Sequence, residues 1–217
     1  MISKDGKLEI FLLKEKEGLA GYDLRLLDPS LSVAGYLDAL TDFFAVYLAD
    51  CRGCDGCCYE RVPLTSLDIG PLAALLPPNP YPAGAVLAAF AQLSLNKEGA
   101  ADIYLRRGED GACLFLKEKD CTIYQARPFV CRSHFCLAKS PRTEALRGAI
   151  VNPGMDQLIL TLLDEEEAGA GLLLGKKLDP ADYPANAFAG KSSYWELSFA
   201  EVLPDDLLRE LCLKSGV

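Results

Sequence analysis

The placement of the cysteines constrains this chain more than any other feature of its sequence. Eight of the nine cysteines fall into two groups, and residues 59–112 between the groups contain none. The first group has the spacing C-x2-C-x2-C-C and the second is looser; the members are Cys51, Cys54, Cys57, Cys58, Cys113, Cys121, Cys131 and Cys136. A C-x2-C pair closes a tight loop that brings two sulfurs within reach of one metal. The chain is therefore predicted to bind metal through these thiols.

The adjacent pair Cys57 and Cys58 bears on how the thiols are shared. Neighbouring side chains tend to point apart, so this pair suits two sites, or one site and its surroundings, better than one ion. Eight thiolates could fill two closed tetrahedral zinc sites, or one four-thiolate cluster with the remaining cysteines structural. The C-x2-C-x2-C run also resembles the ferredoxin pattern and favours iron slightly. Spacing alone leaves both metals open.

Other residue types near the cysteines suggest supporting roles. His134 is the only histidine and lies between Cys131 and Cys136, where it could ligate metal or hydrogen-bond a coordinated sulfur. Four arginines could lower thiolate pKa values and offset cluster charge, or could pack structurally and face solvent: Arg52, Arg61, Arg127 and Arg132. Cys212 stands apart from both groups in an apolar helical pattern, and is predicted to be a small buried hydrophobic residue.

Charge and composition restrict the class of protein. With 217 residues, half of them hydrophobic, the chain can bury a sizeable core. A net charge of −9 suits a phosphate backbone poorly, so no nucleic-acid partner is expected. The N-terminal residues lack a signal-peptide pattern, and the longest apolar helix candidate, 84–95, is too short for a bilayer. We therefore expect no membrane association and a cytoplasmic location, where thiols stay reduced and available to metal. A protein partner or protein substrate is left open.

Hydrophobic periodicity predicts an α+β fold dominated by helices, with an irregular cysteine-rich metal-binding core, short β-hairpins and packed helices. The N-terminal hairpin is predicted from strands at 7–13 and 22–27, with Gly18 and Gly21 in its turn. The other predicted elements are helices at 35–50, 64–76, 83–95, 155–167 and 204–214, a hairpin of 102–107 with 112–116, a helical turn at 121–127 and a strand at 193–199. We expect a cysteine-cluster domain at 1–140 with a C-terminal extension at 141–217 packed on it, or one single domain.

The cysteines and their neighbours together resemble a known family. The run Cys51-x2-Cys54-x2-Cys57-Cys58, then Cys113, then Cys121-Thr-Ile-Tyr124-x2-Arg127-Pro128-x2-Cys131-Arg132 and Cys136 resembles the YkgJ-type CxxCxxCC cysteine-cluster family over about residues 50–137. The resemblance implies chelation of zinc or iron by these cysteines, and it matches Tyr124, Arg127 and Pro128 to the family's C-x-I-Y-x-x-R-P element. Tyr124, Arg127 and Arg132 are accordingly expected beside the metal ligands.

Three functions follow as hypotheses. The first is a metal-binding protein that chelates iron, as an ion or an Fe–S cluster, or Zn²⁺ through two groups of four cysteines. The second rests on the flagellin lysine N-methylases, which carry a similar cluster; that resemblance implies an iron–sulfur centre and methyl transfer to protein lysine from S-adenosylmethionine. The third is a zinc-stapled structural or interaction module. The sequence lacks a nucleotide-binding fingerprint, which argues against a free-standing Rossmann-type methyltransferase.

Overall fold

The computed structural model describes residues 1–15, 18–48, 53–77, 81–95, 100–165, 178–191 and 194–213. Cys51 and Arg52 lie outside these ranges, as do residues 16–17 of the predicted N-terminal hairpin and the end of the predicted helix 35–50. Among the described residues, helical residues outnumber strand residues, 45% against 21%, and the sheets are small. The mixed, helix-dominated α+β fold predicted from the sequence is therefore confirmed.

The described residues form seven α-helices and seven β-strands. The helices are α1 (Val33–Tyr47), α2 (Ile69–Ala73), α3 (Ala83–Phe90), α4 (Phe129–Arg132), α5 (Pro141–Asp164), α6 (Phe199–Val202) and α7 (Asp205–Cys212). The strands are β1 (Leu8–Glu15), β2 (Gly18–Leu26), β3 (Ala91–Leu95), β4 (Ala101–Leu105), β5 (Leu116–Lys117), β6 (Asp120–Cys121) and β7 (Ala138–Lys139).

The chain forms two compact units, each assembled from separate stretches of sequence. Unit 1 comprises Met1–Ala49, Arg132–Ile150 and Gly190–Val217. Unit 2 comprises Asp50–Cys131 and Val151–Ala189. The predicted division into a cysteine-cluster domain at 1–140 and an extension at 141–217 stays a prediction.

Unit 1 is built on a three-stranded sheet in the order β1-β2-β7. Strands β1 and β2 pair antiparallel, which confirms the predicted N-terminal hairpin, and β7 pairs parallel with β2. Gly18 and Gly21 were predicted in the turn, and this was wrong because both lie within β2. Gly21 has a different role there: a Cβ at this position would lie 2.5 Å from the carbonyl oxygen of Ala138. Only glycine lets β7 approach β2 this closely.

Replacing Gly21 by alanine should therefore destabilise the protein by about 1–3 kcal/mol, because the added methyl group overlaps a backbone atom that cannot rotate away. The matched control is Gly148→Ala in α5, where an added Cβ meets nothing within 4 Å. That change should stabilise the protein by about 0.5–1 kcal/mol, since alanine loses less conformational freedom in a helix. Urea unfolding of both variants measures the difference. Equal effects of the two substitutions would contradict the close approach.

Helices cover both faces of the unit 1 sheet. On one face, Phe44 of α1 packs edge-on against Tyr22 of β2, with ring centroids 4.8 Å apart. Helix α1 begins after Ser32, whose hydroxyl caps the Gly35 N–H, and it confirms the predicted helix with slightly earlier bounds. On the other face, the buried Arg142 guanidinium binds the Asp23 carboxylate at 2.8 Å and donates to the Leu213 carbonyl. This network fixes the end of α7 to the sheet.

In unit 2 the predicted helix 83–95 is correct only in its first half. Helix α3 ends at Phe90, and β3 follows and pairs antiparallel with β4. The pairing buries Ala91 and Ile103, so tertiary contacts outweigh the helical preference of the segment. The predicted hairpin of 102–107 with 112–116 forms only next to its turn, where a bridge joins Arg107 to Cys113 and the Leu114 N–H donates to the Arg106 carbonyl. Residues 102–105 pair with β3 instead.

In the C-terminal third, one predicted helix begins earlier than expected and one predicted strand is wrong. The helix predicted at 155–167 is part of α5, which begins at Pro141 and continues through Pro153. Buried leucines on both sides of that proline, such as Leu146 and Leu158, offset the lost backbone hydrogen bond. The strand predicted at 193–199 is replaced by a 3₁₀ turn at Tyr194–Glu196 and by α6. No helix among the described residues has the length and apolar character needed to cross a bilayer.

Candidate metal centre

A 3₁₀ helix at Gly56–Tyr59 carries the adjacent cysteines of the first group. The Cys58 N–H donates to the Asp55 carbonyl at 2.9 Å and so tightens the turn. Cys57 is exposed and Cys58 is half-buried, and a side-chain hydrogen bond links the two thiols. Cys54, earlier in the same loop, is exposed. Among the described thiols of the first group, Cys58 is therefore the least exposed.

A backbone hydrogen bond joins the two cysteine groups. The Cys113 N–H donates to the Cys58 carbonyl at 2.8 Å, although the two residues are 55 positions apart in sequence. A turn closed by the Leu116 N–H and the Cys113 carbonyl then leads into the β5–β6 hairpin, where Cys121 lies opposite Leu116. Cys113 and Cys121 are thereby brought to the same end of unit 2 as Cys58.

The β5–β6 hairpin makes a second link between the two cysteine groups. The backbone at its tip is strained. Glu118 and Lys119 adopt positive φ angles of 48° and 71°, a conformation that costs a residue with a side chain about 1–2 kcal/mol. The Asp120 carboxylate, which follows directly, accepts a hydrogen bond from the Gly53 N–H at 2.8 Å. The loop of the first group is therefore held to the hairpin of the second at two points.

Cys131 is positioned by a buried carboxylate. Cys131 lies on α4, and the Phe129 N–H in the first turn of α4 donates to Asp68 Oδ1 at 2.7 Å. Asp68 is 1% exposed, and its Oδ2 accepts from both the N–H and the hydroxyl of Thr65. The same side chain thus caps the 3₁₀ helix at Ser66–Asp68 and anchors the cysteine-bearing helix.

The thiols of five cysteines influence one another electrostatically. Cys58 is affected by Cys57, Cys113 and Cys121, and Cys131 is affected by Cys113 and Cys57. Burial raises the pKa of the Cys58 thiol to about 12, and the neighbouring thiols add to this effect. Burial likewise raises the pKa of the thiols of Cys113 and Cys131. We call these five residues of unit 2 the thiol cluster: Cys57, Cys58, Cys113, Cys121 and Cys131.

Two arginines place positive charge near the thiol cluster. The Arg107 guanidinium donates to the carbonyl oxygens of Tyr59 and Gly111, and its charge lowers the pKa of Cys113 against the effect of burial. Arg127 stacks on the Tyr124 ring at 3.8 Å and has the same opposing effect on Cys131. Arg127 and Tyr124 were singled out from the sequence, whereas Arg107 was missed. Its position directly before the Gly108 turn and opposite Cys113 was the available signal.

The remaining described site residues predicted from the sequence are not members of the thiol cluster. His134 and Cys136 belong to unit 1, and Cys136 is exposed. Arg132 also belongs to unit 1, where it pairs with Asp38 at 3.3 Å and lies 5.2 Å from the Trp195 ring centroid. Arg61 lies over the Tyr104 ring. The roles of His134, Cys136 and Arg132 at a metal stay predictions.

Cys212 was predicted to be buried, and this was wrong because its side chain is exposed. Helix α7 buries Leu207 and Leu211, which lie one turn apart on its inner face. Residue 212 follows Leu211 and is rotated by about 100° from it, so it faces away from the core.

The chemistry of the thiol cluster suits a metal with soft ligands. Cysteine sulfur is a preferred ligand for zinc and for iron–sulfur clusters, and grouped, mostly half-buried thiols with nearby arginines fit that chemistry. Within the described ranges, no three histidine, cysteine or acidic side chains are already arranged to hold an ion. The backbone hydrogen bonds therefore bring the donors together, while their sulfurs do not yet converge.

Comparison with known proteins identifies the segment that carries these cysteines. Residues 50–147 match the family model CxxCxxCC, described as a "putative zinc- or iron-chelating domain". This part of the chain is similar to the CxxCxxCC domain. The predicted resemblance to this family is confirmed, and the match supports metal binding in general. Searches of curated proteins and of solved structures each found no match.

The segment that matches the family model includes all eight grouped cysteines and His134. It does not coincide with either compact unit, because residues 50–131 belong to unit 2 and residues 132–147 to unit 1. Methyl transfer from S-adenosylmethionine stays a prediction from the resemblance to the flagellin methylases.

Proposed function

We propose that this protein chelates zinc or iron in one composite centre whose ligands are thiolates of both cysteine groups. The observation that carries the proposal is the hydrogen bond from Cys113 to Cys58, which fixes the two groups together across 55 residues. Cys57, Cys113 and Cys121 interact with Cys58, and Cys131 interacts with Cys57 and Cys113; the five thiols are the proposed ligand pool.

Side-chain rotation is one movement that changes where the sulfurs of the proposed centre lie. A cysteine has a single side-chain torsion before its sulfur, and its staggered rotamers direct the sulfur to different positions over a fixed backbone. Metal binding also replaces the thiol proton, so it removes the cost of ionising buried thiols without a counter-charge. Arg107 and Arg127 offset part of the charge that several thiolates would bring to one ion.

The two metals would give the centre different chemistry. Zinc held by four thiolates is a closed structural site, whereas an iron–sulfur cluster can accept and donate an electron. The C-x2-C-x2-C run favours iron, and five clustered thiols exceed the four that one zinc requires.

Metal analysis of the anaerobically purified full-length protein tests the proposal. We expect zinc or iron in near-stoichiometric amount; iron with acid-labile sulfide and visible absorption identifies a cluster. Protein with zinc should be colourless and should give the charge-transfer bands of tetrahedral thiolate coordination after substitution with cobalt. Protein that contains neither metal, and that binds neither when each is supplied under reducing conditions, would refute the proposal.

The stability of the metal-free protein should fall as pH rises from about 8.5 towards 12. An unfolded cysteine has a pKa of about 8.5. Folding raises the pKa of Cys58 to about 12, so between these values the folded chain retains a proton that the unfolded chain has lost. Proton retention in the folded state makes stability decrease with pH. Metal affinity should change in the opposite direction, because ligation releases thiol protons.

The midpoint of urea unfolding, measured at pH 7 and pH 10 with chelator and reductant present, gives the change in stability with pH. The buried hydroxyl of Tyr22 contributes in the same direction because burial raises its pKa as well. The thiol contribution is therefore taken as the difference between the wild-type protein and Cys58→Ser. Cys212→Ser is the control that should leave the slope unchanged, and an equal slope in Cys58→Ser and wild type would contradict the assignment.

A further inference from the structure

Unit 1 buries a tyrosine hydroxyl beside a buried lysine, on two neighbouring strands. Tyr22 of β2 and Lys139 of β7 are register partners in a parallel pair, so their side chains project from the same face of the sheet. Tyr22 is 0% exposed, and its hydroxyl has no hydrogen-bond partner among the described residues. A buried donor without an acceptor is rare and calls for an explanation such as a bound water or ion.

The Lys139 ammonium is incompletely neutralised. Its side chain is only 10% exposed, and its ion-pair partner in the described structure is the Glu144 carboxylate at 3.9 Å, which is beyond hydrogen-bond distance. Glu144 binds more closely to Arg147, at 2.9 Å. Two cations therefore share one carboxylate, which leaves one positive charge. Burial and the Arg147 charge hold the pKa of Lys139 below its usual range, against the effect of Glu144.

The surroundings offer this lysine little other compensation. Tyr22 lies against stacked Phe44 and Phe135, whose ring centroids are 4.0 Å apart, so one wall of the site is aromatic. A wall of this kind excludes water and strengthens charge interactions. Asp23, the next residue on β2, projects from the opposite face, where it is bound by Arg142 and Ser140. The Asp23 carboxylate therefore does not neutralise the Lys139 charge.

We propose that Lys139, Tyr22 and Arg147 form a binding site for a small carboxylate. All three groups are hydrogen-bond donors, and together with Glu144 they carry a net positive charge, so the complementary ligand is an anionic acceptor. The chain itself indicates the preferred class, because the Glu144 carboxylate already lies between Arg147 and Lys139. A carboxylate can accept two parallel hydrogen bonds from a guanidinium. Glu144 has a half-exposed side chain and is the group that an incoming carboxylate would displace.

An NMR titration of the full-length protein with sodium acetate tests this site, with sodium chloride at matched ionic strength as the reference. In the wild type we expect saturable shifts at the backbone amides around Tyr22 and Lys139. Lys139→Met retains the buried aliphatic stem and removes the charge, and Tyr22→Phe removes only the hydroxyl. Each variant should weaken acetate binding by at least about tenfold. Lys4→Met is the control, because Lys4 is an exposed lysine paired with Asp42, and it should bind acetate like the wild type.

The outcomes separate cleanly. Saturable acetate binding that is lost in both site variants and retained in Lys4→Met supports the site. Shifts that do not saturate, that chloride reproduces, or that persist unchanged in Lys139→Met overturn it. If Lys139→Met fails to fold, Tyr22→Phe decides alone, since it removes an unpartnered group and should fold. The test is independent of metal binding because none of these side chains belongs to the thiol cluster.

Discussion

Replacing Cys113 by serine should reduce metal affinity by more than roughly 100-fold, since even loss of a residue that only supports a ligand commonly costs 10- to 100-fold. Cys113 is the residue whose backbone joins the two cysteine groups and whose thiol interacts with Cys57 and Cys121. Serine keeps the backbone hydrogen bond to Cys58, so the substitution tests the sulfur and not the link. Competition with a chromophoric chelator measures the affinity.

The matched control for this prediction is Cys212→Ser. Cys212 is an exposed cysteine at the end of α7 in unit 1, outside the thiol cluster. It should retain wild-type affinity and metal content. If Cys113→Ser and Cys212→Ser bind metal equally well, Cys113 is not a ligand and the composite centre is wrong. An equal loss of metal affinity in Cys131→Ser would indicate that Cys131, on α4, is also a ligand.

Replacing Asp68 by asparagine should destabilise the protein by about 3 kcal/mol, the cost of leaving a buried backbone donor without an acceptor. The carboxylate accepts hydrogen bonds through both oxygens, from the N–H of Phe129 and from Thr65. An asparagine has one acceptor oxygen, so whichever way it turns, its NH₂ group faces an N–H. Because Phe129 begins the helix that carries Cys131, metal affinity should fall along with stability.

Asp156→Asn supplies the control for the Asp68 substitution. Asp156 lies in α5, in the same unit, and burial raises the pKa of its carboxyl group. Removal of this desolvated charge should leave stability at pH 7 unchanged or slightly higher. Chemical unfolding compares the two variants, and metal content per folded molecule separates a misplaced Cys131 from simple unfolding. Equal losses in both variants would remove the special role assigned to Asp68.

The sequence predicted those elements whose pattern is local. Short apolar segments identified the β1–β2 hairpin, and the helical spacing of apolar residues identified α1. The helix 83–95 failed because its second half is a strand only in the presence of β4. Helix α5 was predicted too short because a proline usually interrupts a helix, and packing that overrides it cannot be read from one segment.

The candidate site shows the same limit. The cysteine spacing predicted that the grouped thiols bind metal, because tight loops bring sulfurs together locally. It could not show that Cys58 and Cys113 share a backbone hydrogen bond, or that Asp68 and Asp120 anchor the cysteine-bearing segments. Acidic residues are common in the chain, and only the fold distinguishes a structural anchor from a solvated charge.

The interleaving of the two units bears on how the metal centre can be studied in isolation. A fragment cut to the family boundaries at 50 and 147 would omit Gly154, whose carbonyl accepts the Ser66 hydroxyl, and Glu165, whose carboxylate caps the N-terminus of α3. It would also lack the Tyr183 hydroxyl that receives the Ala101 N–H at the start of β4. Such a fragment would retain every grouped cysteine while losing the scaffold that orients them. We therefore expect such a fragment, even where it binds metal, to discriminate less between one metal and another than the whole chain does.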